Sequence, residues 1–184
     1  MGIADLERAS EISGGDDPEV LYELGLMIYS AQRYKKCCAI LKLALRCSPP
    51  ETIEPDIYYH IGLSYCHLEK FEKAIFPFSK CIEMVPSDVR YVHERAKTYQ
   101  MIEDHENAIT DFNHVITKNS KNAHAYFRRA FSLKAMKNFP AAAEDFETAK
   151  GLDPMNPHML INHKQLKNVK CIVLCEPGKE KAFI

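Results

Sequence analysis

The chain has 184 residues, 46% of them hydrophobic and 27% charged, with 24 basic against 25 acidic side chains. This composition excludes wholesale disorder, and the near-zero charge balance removes the argument for a general nucleic-acid or membrane-surface binder. No apolar run approaches the ~18–20 residues of a membrane-spanning helix, so membrane insertion is not expected.

In chain order, Leu6, Ala9 and Ile12 have the spacing of a helix end, and Ser13-Gly14-Gly15-Asp16 reads as the turn after it. The acidic, amphipathic octet before that turn lacks the form of a signal peptide. From Pro18 onward the chain repeats. Small residues Gly25, Gly62, Ala96 and Ala130 stand 37, 34 and 34 residues apart. Taken as the eighth position of a unit, they start four units at Pro18, Pro55, Val89 and Ala123. In that register Tyr34, Phe71, His105 and Phe139 coincide, as do Cys37, Ala74, Ala108 and Ala142. Leu41, Phe78, Phe112 and Phe146 also align, and the units close with Pro49, Pro86, Ser120 and Pro154.

Leu21, Leu24, Gly25 and Ile28 recur at i, i+3, i+4 and i+7, one face of a helix, and Ile75, Phe78, Ile82 and Val85 mark a second helix. Pro18, Pro55, Pro140 and Pro157 suit first-turn positions. Pro77 falls about two turns into a helix, where its missing N–H predicts a kink. Beyond the units, residues 157–170 read as a polar helix with Met159, Leu160 and Leu166, and Cys171–Cys175 as a short strand-like apolar run.

This order of small, aromatic and proline positions resembles the tetratricopeptide repeat, a helix-turn-helix unit of 34 residues. The likeness spans residues 18–154. It departs from the family pattern at Leu21, Tyr58, Val92 and Tyr126, which fill a tryptophan slot, at Ser120, and in a three-residue insertion between the first two units. The resemblance implies an all-α fold, a right-handed superhelix of antiparallel helix pairs. The expected organisation is a capping half-repeat at 1–16, native or cut from a longer array, then four repeats within 17–156 (18–51, 55–88, 89–122 and 123–156). A capping helix at 157–170 would cover the last apolar face, and an apolar-then-polar tail would follow at 171–184.

Chemistry is argued against by absence. The sequence has no Gly-rich phosphate loop, His-Glu-x-x-His motif or Gly-x-Ser-x-Gly elbow, so no catalytic residues and no cofactor are assigned. The seven cysteines are odd in number and irregular in spacing, which points to free thiols in a reducing compartment. His60, Cys66 and His67 match no common zinc spacing, and no metal site is assigned. Arg95 and Arg129 occur only in units that also carry Asp111 and Asp145, which predicts an Arg95–Asp111 and an Arg129–Asp145 pair between helices.

The resemblance implies that the first helix of each repeat lines a concave groove for a peptide or helix of a partner protein. The positions it assigns to that groove carry Tyr22, Leu26 and Tyr29 in the first unit and Tyr59 and Leu63 in the second. The third supplies Arg90, His93 and Lys97, and the fourth Phe127, Phe131 and Lys134. On this reading an acidic stretch of the partner lies over Arg90, Lys97 and Lys134. One subgroup of the family clamps the acidic C-termini of heat-shock chaperones with Lys, Asn and Arg at the fifth and ninth positions. Tyr22, Leu26, Tyr59 and Leu63 fill those positions in units one and two, and only Lys97 matches in charge, which argues against a chaperone partner. The expected function is a non-enzymatic interaction adaptor. The alternative is a structural span of a longer scaffold, for example in ciliary, axonemal or trafficking machinery, that uses its convex face or its tail. A cytoplasmic place, ciliary or cytoskeletal in the alternative, follows from either, and residues 171–175 are a candidate self-association edge.

Overall fold

The computed structural model describes residues 16–155. The N-terminal cap (save Asp16), the capping helix at 157–170 and the tail at 171–184 lie outside those residues. All regular structure among the described residues is helical: α1 Pro18–Ser30, α2 Tyr34–Arg46, α3 Glu54–His67, α4 Phe71–Met84, α5 Val89–Met101, α6 His105–Lys118, α7 Ala123–Ala135 and α8 Phe139–Leu152. The chain divides into two compact units, one up to Ile102 that carries α1–α5 and one from Glu103 that carries α6–α8.

Helix starts follow from local chemistry. The Asp17 carboxylate accepts from the N–H groups of Glu19 and Val20 at 2.9 and 3.3 Å, with Pro18 opening the helix. Asp88, Asp104, Asn122 and Asn138 cap α5, α6, α7 and α8 in the same way, each answering an N–H that has no partner inside its helix. Helix ends follow another rule. Gln32, Glu69 and Lys137 adopt left-handed backbone, with φ of 57°, 56° and 62°. The residues after them, Arg33, Lys70 and Asn138, send their N–H back to the carbonyls of Ile28, Tyr65 and Leu133 at 2.9–3.1 Å. This bond satisfies a carbonyl that the ending helix would leave open. It also reverses the chain within three residues, so α1 packs on α2, α3 on α4 and α7 on α8.

In the first unit Leu21, Leu24 and Ile28 of α1, Cys37, Leu41 and Ala44 of α2, and Ile57 and Ile61 of α3 form one buried cluster. Phe78 of α4 is fully buried. It reaches the backbone of α3 because Gly62 has no side chain: a Cβ there would meet the Phe78 ring at 2.6–2.9 Å. Gly25 gives Leu41 the same room between α1 and α2. In the second unit Ala123, Ala125 and Ala130 of α7 and Ala142 and Ala149 of α8 are buried, a small-residue seam. Pro77 is buried in the interior of α4, which runs as one helix through to Met84.

Two substitutions test this packing. Gly62→Ala gains about 1 kcal/mol of helix propensity but overpacks against an immobile ring at about 1–3 kcal/mol, so a net loss is expected. Lys137→Gly keeps the left-handed conformation but removes the Cβ whose crowding there costs about 1 kcal/mol, so it is expected to stabilise. Urea unfolding of each variant reads both; a raised midpoint for the first or a lowered one for the second contradicts the account.

Candidate protein-binding surface

In the first unit the first helices of successive pairs, α1, α3 and α5, are tied together by rings. Tyr29 of α1 sits between His60 and His67 of α3, with ring centroids 5.4 and 5.7 Å away. Its hydroxyl is hydrogen-bonded to His67 Nε2 at 3.0 Å. His67 stacks face to face on Tyr34, the first residue of α2, at 4.3 Å. Tyr22 meets the edge of His60 at 6.4 Å, and Tyr59 meets Tyr91 of α5 at 5.4 Å. Tyr59 also leans on the buried Phe78 at 6.1 Å, so the surface rings rest on the core. Tyr22, Tyr29, Tyr59, Leu26 and Leu63 are all half-buried. The result is an aromatic surface of partly exposed rings that rests on the buried Tyr91 and Phe78.

The charges on these helices are sorted. Neither α1 nor α3 carries a lysine or arginine, while Glu19, Glu23, Glu54 and Asp56 stand on them. Two of the three cations of α5 are matched on the spot. Arg90 is held by Asp88 through three hydrogen bonds of 2.6–3.0 Å, and Lys97 by Glu94 at 2.7 Å. The Asp88 carboxyl is held below its usual range, first by the Arg90 hydrogen bonds. His93 is half-buried on the same helix. Asp56 accepts from the Tyr91 hydroxyl at 3.5 Å, a long bond. Burial, with Asp56 and Glu23 behind it, pushes the Tyr22 phenol up.

In the second unit, Phe127 and Phe131 of α7 and Phe146 of α8 form a triangle of edge-to-face contacts at 4.9, 5.5 and 5.3 Å. Phe131 is 36% exposed, and Lys134 stands half-buried one turn further along α7. Arg129 Nε and Nη2 donate to the two oxygens of the buried Asp145 at 2.7 and 2.6 Å, and Nη1 donates to Asn113 of α6 at 2.7 Å. Arg95 in the first unit donates to Ser79 at 3.0 Å, and Asp111 of α6 is buried in the second unit.

Comparison with known proteins agrees with this helix arrangement. Residues 55–88 match the family model described as tetratricopeptide repeat. The solved structure of YrrB, a tetratricopeptide-repeat protein with an unusual peptide-binding site, superposes with a TM-score of 0.80 at 18% identity, over 88% of this chain and 81% of that one. The first tetratricopeptide domain of Spaghetti (RPAP3), bound to the HSP90 peptide SRMEEVD, gives 0.61 at 21% identity, over 64% and 94%. The described chain has the tetratricopeptide-repeat fold. By sequence, serine/threonine-protein phosphatase 5 of Homo sapiens is 29% identical over 119 residues, 65% of this chain. The phosphatase 5 of Rattus norvegicus matches to the same extent. This chain spans only 22% of the length of these relatives.

Within the tetratricopeptide frame the structure brings Tyr22, Tyr29 and Tyr59 onto one surface, and gathers Phe127 and Phe131 with Phe146 in the other unit. His60, Tyr34 and Glu94 join the first surface, with Tyr91 buried beneath it, although the position-by-position reading assigned none of them to it. His60 and Glu94 occupy the sixth position of their repeats, adjacent to the fifth, and that adjacency is the signal that would have found them. Cys81 lies buried beneath this surface: it donates to the Pro55 carbonyl at 3.2 Å, and burial pushes its thiol up to about 12.

Three outcomes follow from the electrostatics. The Tyr29 and Tyr91 phenols are pushed from 10.0 up to about 12, chiefly by burial, with Tyr34 and Tyr59 adding for Tyr29 and Asp56 and Asp88 for Tyr91. The folded state therefore holds these protons more tightly than the unfolded chain. Their contribution is complete below pH 10 and lost as the pH rises toward about 12, so the urea midpoint falls across that window; a flat profile contradicts the assignment. Asp145→Ala leaves the Arg129 guanidinium partly buried without its carboxylate and is expected to cost about 3 kcal/mol. Glu83→Ala, which breaks the exposed Lys80–Glu83 pair, is expected to leave the urea midpoint unchanged in the same assay.

Proposed function

We propose that this chain is a non-catalytic binding module whose inner surface, formed by α1, α3 and α5, receives a segment of a partner protein. The observation that carries the reading is the ring surface of Tyr22, Tyr29 and Tyr59, set among Glu19, Glu23 and Asp56 on helices that have no lysine or arginine. Aromatic rings that expose one face while resting on a core are typical anchors of binding energy. Peptide binding by YrrB and by the first domain of RPAP3 makes this use of the fold plausible here.

The charge pattern refines the partner. Arg90 and Lys97 are each matched by a carboxylate within their own helix region, so α1 and α3 set the sign of the surface. The segment that suits it carries lysine or arginine among apolar side chains, with cations placed over tyrosine faces or against Glu19, Glu23 and Asp56. An acidic segment such as SRMEEVD would instead meet like charge. Phe131 and Lys134 offer a further apolar-basic surface on the second unit for another part of a partner.

The test is affinity capture from cell extract with mass spectrometry, comparing the wild-type chain with Tyr22→Ala/Tyr29→Ala. A protein retained by wild type and released by the variant, each ring contributing more than ~1 kcal/mol, supports the inner surface. Equal capture by both moves binding to the outer helices and favours the scaffold reading. In direct titration the peptide SRMEEVD is expected to show no binding that depends on Tyr22 and Tyr29.

A further inference from the structure

A second surface lies on the outer side of the first unit, away from the tyrosine face. Lys42 and Leu45 of α2, Tyr58, Ile61 and Tyr65 of α3, and Lys73, Phe76 and Pro77 of α4 enclose a cleft of about 440 Å³, within the ~300–1,000 Å³ range of ligand clefts. Its apolar floor reflects a polar pair that this repeat, like the first with Leu24 and Ile40, does not carry. At the same register the repeat of α7 and α8 carries Arg129 and Asp145, whose ion pair bridges the two helices. Here those positions are Ile61 and Pro77, so no polar bridge closes the space. Pro77 also has no N–H, which leaves the Lys73 carbonyl without its donor four residues on.

Phe76 sets the character of the wall. It is 61% exposed, at a position where the other repeats carry Ala39, Thr110 and Glu144. Tyr58 meets its edge at 6.5 Å, and Lys80 lies 5.8 Å above it. The rim is basic. Lys42 donates to the Tyr65 hydroxyl at 2.6 Å, and neither Lys42 nor Lys73 is ion-paired among the described residues. The charged residues of α2 are Lys35, Lys36, Lys42 and Arg46, with no acid among them. In a chain of net charge -1 this concentration of cations beside an exposed ring is a local arrangement rather than a reflection of composition.

We propose that the cleft between α2 and α4 is a second docking site, for an acidic segment of a partner protein that inserts bulky apolar side chains against Phe76 and Tyr58 and sets its carboxylates against Lys42 and Lys73. Charge complementarity selects the occupant: apolar side chains fill the floor, and only carboxylates match the rim. The site is separate from the inner surface and opposite in sign, so one chain can hold two chemically different segments.

Fluorescence anisotropy with the full chain tests this, using a labelled synthetic peptide with Leu and Phe on one helical face and Glu on the other. Saturable, salt-sensitive binding is expected. Phe76→Ser and Lys42→Glu/Lys73→Glu should each weaken it by at least about 10-fold, the scale of a hot-spot contact. The same peptide with Lys in place of Glu should bind at least about 10-fold more weakly, and Tyr22→Ala/Tyr29→Ala should leave the acidic peptide unaffected. All the altered side chains of the cleft are on its surface, and circular dichroism should show unchanged helicity. No saturable binding, indifference to Phe76→Ser, equal binding of the Lys peptide, or loss in the Tyr22/Tyr29 variant would each overturn the proposal. So would Phe76-dependent self-association in sedimentation equilibrium that the acidic peptide does not displace.

Discussion

The contact between Gly62 and the Phe78 ring is the constraint on which the first unit depends. Because Gly62 has no Cβ, an aromatic ring of α4 lies directly on the backbone of α3, and the two helices close to a distance that no larger residue permits. The same ring touches Tyr59, three residues earlier on α3, and Tyr59 in turn touches Tyr91 on α5. One buried side chain thus fixes the spacing of a helix pair and supports a ring that is partly exposed on the inner surface. The tyrosines there are held in place by the core beneath them, which lowers the entropy lost when a partner binds.

Charge sorting gives the two faces of that unit different chemistry. The helices that carry Tyr22, Tyr29 and Tyr59 bear only carboxylates, and the outer helix α2 bears only cations. A net charge near zero conceals this, since the acidic and basic stretches cancel in the sum. Arg90 and Lys97 contribute little to either face because Asp88 and Glu94 sit two and three residues before them and neutralise them locally. A module built this way discriminates partners by the sign of their flanking charges, while apolar contacts supply most of the affinity.

Much of the helical framework was legible in the sequence because it rests on residue size at fixed intervals. A glycine at the eighth position and a leucine or large ring sixteen residues later describe a single contact, which the first two repeats share. The turns were less legible. Gln32, Glu69 and Lys137 share a left-handed conformation but no chemical property, and the chain bears a small cost there instead of advertising the turn with glycine. The binding surface was legible in its rings and less so in its electrostatics. A reading that takes one residue per position counts Arg90 and Lys97 as cations without their neighbours Asp88 and Glu94, and passes over His60, which lies beside the selected Tyr59. Ile61 and Pro77 were visible as missing members of an Arg–Asp pattern; that their absence opens a cleft is a property of three helices together, which no single stretch of sequence contains.

The central claim is that the inner surface of α1, α3 and α5 binds cationic, apolar segments. Its most direct test is a map of backbone amide chemical shifts in the full chain during titration with an amphipathic Leu/Arg peptide. The account predicts saturable shifts concentrated around Tyr22, Tyr29, Asp56, Tyr59 and His60, with α2 beyond its first turn and the outer face of α4 unchanged. Shifts confined to α2 and α4, or stronger shifts on the inner surface with a Leu/Glu peptide than with the Leu/Arg one, would contradict it.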